Sequence, residues 1–132
     1  KTVRVWIASS RECVRTIKQP DYVNCAKFSP CGGRVAVASD DHTIRIWNVA
    51  SGTCVRIFHG HTDVVLSVDY SPDGTRIVSG SRDKTVRVWE LSSGCARVLR
   101  GHTGSVKSVE FSPDGTKIVS ASDDKTARVW CV

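Results

Sequence analysis

The chain has 132 residues, of which 40% are hydrophobic and 24% charged, with a formal net charge of +6; this is the make-up of one globular domain or part of one. No apolar run approaches the ~20 residues of a membrane-spanning helix, and no secretory leader is expected ahead of the first patterned segment. The positive balance admits an acidic partner or nucleic acid, and the lack of any methionine leads us to expect a portion of a longer protein.

The first element, KTVRVW (1–6), returns in near-copy as HTIRIW (42–47), KTVRVW (84–89) and KTARVW (125–130). The tryptophans that close these phrases, Trp6, Trp47, Trp89 and Trp130, lie 41, 42 and 41 residues apart. A fixed period of this size marks one supersecondary unit repeated along the chain. Repeated units bury faces against each other and leave surfaces for binding, so the chain reads as a binding surface before it reads as an enzyme. Arg4, Arg45, Arg87 and Arg128 each stand two residues before a tryptophan. Much of the positive charge therefore belongs to the repeated scaffold, where an arginine stem covers apolar surface while its head stays wet. The six cysteines show no CxxC and no metal-ligand spacing. Cys13, Cys54 and Cys95 recur with the repeat, whereas Cys25, Cys31 and Cys131 follow no period. Reduced thiols of an intracellular protein are expected.

Residues 60–100 show the unit best. Val65–Tyr70 is a predicted strand, and Ser71-Pro72-Asp73-Gly74 suits a type I turn, with Pro supplying φ at the second position. Arg76–Ser81 is apolar and small, as expected of a strand covered on both faces. Arg82-Asp83-Lys84 makes the next turn, Thr85–Trp89 alternates with period 2, Ser92-Ser93-Gly94 turns again, and Ala96–Leu99 is a last short strand. Four strands about ten residues apart, joined by tight turns, form an antiparallel meander. No stretch carries a 3.6-residue apolar pattern. A four-stranded sheet with two semi-apolar faces must lie between copies of itself, and radial stacking achieves this with only short edges. The expected fold is all-β and propeller-like.

Gly60-His61 and Gly101-His102, the SPDG turns at 71–74 and 112–115, Asp83 and Asp124, and the tryptophan positions together resemble the WD-repeat family. The similarity covers essentially the whole chain, and residues 60–90 and 101–131 share 21 of 31 positions. Departures are visible. The aspartate that usually follows the tryptophan is replaced by Ile7, Asn48, Glu90 and Cys131. The first full unit has Lys18-Gln19 in place of Gly-His and SPCG at 29–32 in place of SPDG. The resemblance implies that the tryptophan strand is the third of a blade. On that count the chain is a WD-repeat β-propeller segment of four-stranded antiparallel blades: a partial blade at 1–18, whole blades at 20–58 and 61–99, and a partial blade at 102–132.

His61, Ser79 and Asp83 are the residue types of a charge-assisted nucleophile. The set recurs as His102, Ser120 and Asp124, which would require two active sites in one chain. A structural account is simpler. A buried indole N–H needs an acceptor, a serine oxygen supplies one, and histidine then links that hydroxyl to an aspartate in a network that is costly to leave half satisfied. By the resemblance, His61, Ser79, Asp83 and Trp89 form one structural tetrad, and His102, Ser120, Asp124 and Trp130 another. The first unit offers Gln19, Val37, Asp41 and Trp47 instead, so its blade is expected to be the less rigid of the two whole ones. His59-Gly60-His61 is a weak metal pair without a third ligand, the glycines do not precede a helix as a phosphate loop requires, and His42 is expected to be a solvated turn residue.

The resemblance also implies a docking face around the central channel. The matching positions are Tyr22, Asn24 and Asp40 in the first unit, Val64, Leu66 and Arg82 in the second, and Ser105, Lys107 and Asp123 in the third. They vary while the scaffold repeats, and Tyr22 and Arg82 are the strongest anchors by residue type. The expectation is a non-catalytic, intracellular (cytoplasmic or nuclear) scaffold or adaptor that binds other proteins or peptides. Alternatives are a nucleic-acid (RNA)-binding propeller and an accessory region of a larger signalling kinase or NTPase. No cofactor, metal, membrane or small-molecule substrate is expected.

Overall fold

A computed structural model describes all residues, Lys1–Val132, as thirteen strands without a helix. The strands are β1 (Thr2–Ile7), β2 (Glu12–Lys18), β3 (Val23–Phe28), β4 (Arg34–Ser39), β5 (Ile44–Asn48), β6 (Cys54–Phe58), β7 (Val65–Tyr70), β8 (Arg76–Ser81), β9 (Val86–Glu90), β10 (Ala96–Leu99), β11 (Val106–Phe111), β12 (Lys117–Ser122) and β13 (Ala127–Cys131). They form four antiparallel meanders of two, four, four and three strands: β1–β2, β3–β6, β7–β10 and β11–β13. Trp47 and Trp89 lie on the third strand of each four-stranded sheet.

The turns follow their local chemistry. In Ser71-Pro72-Asp73-Gly74 the Gly74 amide donates to the Ser71 carbonyl at 2.8 Å, and Gly74 adopts φ +70°. The turn after β8 places Lys84 at φ +68°, and its counterparts His42 and Lys125 stand at φ +67°. The solvated turn residue expected at His42 is exposed, but it occupies a left-handed conformation that its residue type gave no reason to anticipate.

The core is divided among the gaps between successive sheets. Val3 and Ile17 pack on Val35 and Val37 in the first gap. The opposite face of β4, Ala36 and Ala38, joins Ile44, Ile46 and Phe58 against Val65, Val68, Tyr70, Ile77 and Trp89 in the second. Val78, Val86, Val88 and Leu99 meet Val106, Val109, Phe111 and Ile118 in the third. Period-2 alternation thus gives β4 and β8 two buried faces, because each of the two four-stranded sheets has a neighbour on either side. Outer-strand arginines lock successive sheets together. Arg15 Nε donates to Val49 O at 3.1 Å and Arg56 to Leu91 O at 2.7 Å. Part of the positive charge is thereby committed to the scaffold.

The outermost sheets have no neighbour on one side. Trp6, whose counterpart Trp89 packs against the preceding sheet, is exposed, and Val129 of β13 is 68% exposed. Uncovered apolar faces and open strand edges drive association. The isolated chain is therefore expected to elute in light-scattering chromatography at a mass above its monomer value of 14.4 kDa, while remaining β-rich by circular dichroism.

Candidate functional site

Within the third sheet, four side chains from separate strands and loops form one continuous hydrogen-bond chain. Trp89 Nε1–H donates to Ser79 Oγ at 2.9 Å, Ser79 Oγ lies 2.7 Å from His61 Nε2, and His61 Nδ1 lies 2.7 Å from Asp83 Oδ2. The donor inventory sets the direction. The carboxylate can only accept, so Nδ1 carries the proton to Asp83, Nε2 of the neutral imidazole then accepts from the Ser79 hydroxyl, and the indole N–H donates to the serine oxygen. Asp83 also accepts from Thr85 Oγ1 at 2.6 Å and from the Thr62 amide at 3.2 Å. Burial alone would raise the Asp83 carboxyl, but its hydrogen bonds with His61 and Thr85 outweigh that and hold it well below the carboxylate range. The fourth sheet repeats the arrangement through Trp130, Ser120, His102 and Asp124, with distances of 2.8, 2.8 and 2.7 Å. There the Thr126 hydroxyl contributes most to lowering the Asp124 carboxyl.

This geometry is unsuited to hydrolysis. Ser79 has 0% exposure, and its oxygen is already occupied by the indole N–H, so it cannot reach a scissile bond. Both ring nitrogens of His61 are likewise engaged, which removes it from the His59-Gly60-His61 pair as a metal ligand.

The first whole unit is built differently, and the cause is local. Gly60 sits at φ +153°, where a Cβ would lie 2.6 Å from Arg87 Nη1 and 3.1 Å from the Trp89 ring. Glycine therefore lets Arg87 lie over Trp89, with its guanidinium carbon 5.9 Å from the ring centroid. The matching residue in the first unit is Lys18, which has a Cβ. Arg45 turns instead to Asp41 and donates to Thr43 Oγ1 at 2.7 Å. Asp41 is open to Arg45 because Gln19 takes the histidine position, and Gln19 is buried with its amide unpaired. Val37, in place of serine, leaves Trp47 Nε1 buried and unpaired as well.

The nine rim positions are brought together in threes. In each unit the first and third are joined through the backbone: Asp40 N to Tyr22 O at 3.0 Å, Arg82 N to Val64 O at 2.9 Å and Asp123 N to Ser105 O at 2.9 Å. The middle residue of each three, Asn24, Leu66 or Lys107, is the extra residue of a β-bulge, where the register of the inner strand shifts by one. A bulge re-aims its side chain and bends the strand, a device with no signal in the strand pattern. Asn24 donates to Asp40 at 2.7 Å and Lys107 pairs with Asp123 at 3.1 Å. Asn24 also donates to Val65 O at 2.9 Å, tying one unit to the next. Tyr22 is 63% exposed, with the Lys1 ammonium 4.9 Å from its ring centroid. Arg82 is exposed, but Val64 is 9% exposed and its carbonyl is taken by the Arg82 amide.

The sequence model of WD40 (WD domain, G-beta repeat) matches residues 11–48, 52–90 and 93–131. Each match begins near the outer strand of one sheet and ends with the third strand of the next, so the sequence repeat is offset from the sheet by one strand. Among curated relatives, the chain is 36% identical over 69 residues to Transcription initiation factor TFIID subunit 5 of Caenorhabditis elegans, covering 52% of this chain and 11% of the relative. It is 27% identical over 66 residues to Pre-mRNA-splicing factor cwf17 of Schizosaccharomyces pombe, covering 50% of this chain and 19% of the relative. It is 42% identical over 48 residues to Probable E3 ubiquitin ligase complex SCF subunit sconB of Emericella nidulans, covering 36% and 7%. In each case the match spans less than a fifth of the relative's length. With three repeat matches along most of its length and the blade architecture that they specify, the chain belongs to the WD-repeat family.

Proposed function

We propose that the chain is a non-catalytic interaction scaffold, part of an adaptor that takes protein or peptide partners on the rim built from Tyr22, Asn24 and Asp40, from Leu66 and Arg82 beside the buried Val64, and from Ser105, Lys107 and Asp123. The observation that carries this reading is the convergence of each group of three at a bulge, on a scaffold that repeats while these residues change. The polar tetrads hold the blades and leave the rim free to vary. Relatives named as subunits of a transcription factor and of a ligase complex, and as a splicing factor, support assembly roles in the cytoplasm or nucleus.

The mixed charge of the rim favours a protein over a polyanion. Asp40 and Asp123 stand among Arg82 and Lys107, and Lys107 is already paired. Retention on RNA or DNA that fell steeply with salt would instead support a nucleic-acid partner. The anchors are Tyr22 and Arg82, which combine exposure with the residue types that dominate interface energetics. Replacing both by alanine in the full-length protein is expected to weaken partner retention at least tenfold, at about 1 kcal/mol or more per anchor, with an unchanged thermal melt. Identical co-purification profiles for the parent and the double variant would discard the rim.

A further inference from the structure

Three departures from the repeat meet in one place. Cys31 replaces the turn aspartate of Asp73 and Asp114, Gly33 replaces Thr75 and Thr116, and Tyr70 replaces Phe28 and Phe111. The first two lie in the turn after β3 and the third ends β7 on the next sheet, yet Cys31 and Tyr70 line the same cleft of about 280 Å³, with Ser29, Pro30, Arg34, Leu91 and the Asp73-Gly74 turn of the next sheet.

The regular turn is built to hold an anion. Asp73 Oδ1 accepts from Ser71 Oγ at 2.5 Å, the Thr75 amide at 3.0 Å and Thr75 Oγ1 at 2.9 Å, which holds its carboxyl at about 2. Cys31 puts a thiol at the same point, with Sγ 3.4 Å from Ser29 Oγ. The Ser29 hydroxyl, then the Gly33 amide, draw this thiol below its ordinary range. Gly33 removes the threonine side chain that would share the turn, and the cysteine is exposed.

The other groups point to an occupant. Tyr70 is 6% exposed and its hydroxyl has no partner, though it is close enough to Arg34 and Cys31 to feel the charge of each. Arg76, the counterpart of Arg34, donates to Gly115 O at 3.0 Å and lies over Phe111. Arg34 makes no such bond across its gap, and its guanidinium is uncommitted. A thiol drawn below its ordinary range, a free guanidinium and an unsatisfied phenol around one cleft fit a small molecule with a reactive sulfur and a carboxylate, and the Asp73 carboxylate at the same cleft has its Oδ1 taken up by its own turn.

We propose that Cys31 is a thiol-exchange site that admits a carboxylate-bearing, low-molecular-weight disulfide to this cleft and retains half of it as a mixed disulfide. The Cys31 thiolate attacks one sulfur of the disulfide. The Sγ–S bond forms as the original S–S bond breaks, and the departing thiolate takes a proton from water. Cys31 is oxidised and the released half is reduced, so no further oxidant enters. Arg34 holds the carboxylate of the retained half, and the Tyr70 hydroxyl donates to one of its oxygens.

The test exposes the folded chain to glutathione disulfide and follows each cysteine by peptide mass spectrometry. A parallel run uses the uncharged bis(2-hydroxyethyl) disulfide. Cys31 is expected to react at least about fivefold faster than the exposed Cys54 and Cys95, and this lead is expected to vanish when the chain is unfolded in urea. Arg34→Gln is expected to slow the glutathione reaction about three- to tenfold while changing the uncharged reagent by less than about twofold. Tyr70→Phe keeps the ring that Phe28 and Phe111 already carry, and its effect should fall in the same direction. Reaction of Cys31 no faster than Cys54 and Cys95, or a lead that survives unfolding, overturns the site. Equal slowing of both reagents by Arg34→Gln overturns the carboxylate subsite.

Discussion

Ser79→Ala is expected to destabilise the chain by about 2–4 kcal/mol, because it strands two buried groups that each cost roughly 1–3 kcal/mol when left without a partner. Trp89 Nε1 loses its acceptor and His61 Nε2 loses its donor, inside a sheet where both side chains are buried. Alanine also leaves almost no new room, so water cannot replace the hydroxyl. The reciprocal change, Val37→Ser, supplies the acceptor that the buried Trp47 indole lacks. That gain opposes the loss of apolar volume at a fully buried position, and the net change is expected to stay within about 1 kcal/mol. Urea denaturation of the two variants beside the parent measures both. Shifts of equal size and the same sign would remove the network as a source of stability.

Acid is expected to unfold the protein over a window set chiefly by the four aspartates with the largest shifts. Asp73 and Asp114 are held at about 2 by the hydroxyl and amide of their turns. Asp83 and Asp124 are lowered further by the tetrads, in Asp83 against the opposing effect of burial. A carboxyl lowered in the folded state binds its proton more readily when unfolded. Its contribution is therefore complete above the unfolded value of 3.8 and is lost as pH falls through the folded value. The melting temperature should stay level from neutral pH to about pH 5 and decline steeply below pH 4. Asp83→Ala removes one member of a buried pair and leaves the His61 and Thr85 donors unsatisfied. It is expected to cost about 3–5 kcal/mol at neutral pH and to flatten the acid limb. A variant with the parent's acid limb would place the acid sensitivity elsewhere.

The two four-stranded sheets differ through a chain of small causes rather than one substitution. Lys18 denies Arg45 the place that Gly60 gives Arg87, Gln19 vacates the aspartate, and Arg45 takes it up. The same unit carries Cys31 and faces Tyr70 across the gap. The blade that departs from the repeat in its polar network thus also supplies the most unusual surface chemistry of the chain. The rim remains regular throughout, since all three inner strands bulge at the same position.

The sequence by itself determined the period, the strands and the all-β fold, while the membership of each tetrad was an expectation from the resemblance to WD repeats. The first three rest on short-range rules. Alternation over five or six residues defines a strand, and SPDG defines its turn. The sequence also marked Gln19 and Val37 as departures, because repetition supplies its own standard of comparison. Only the tertiary structure decided where Arg45 goes once Lys18 blocks its usual site, and that the middle rim residues are bulged. It alone decided that Val64 is covered, and that Cys31 and Tyr70, 39 positions apart in the chain, share one cleft. Each of these depends on atoms from neighbouring strands or sheets competing for the same space, which local pattern does not encode.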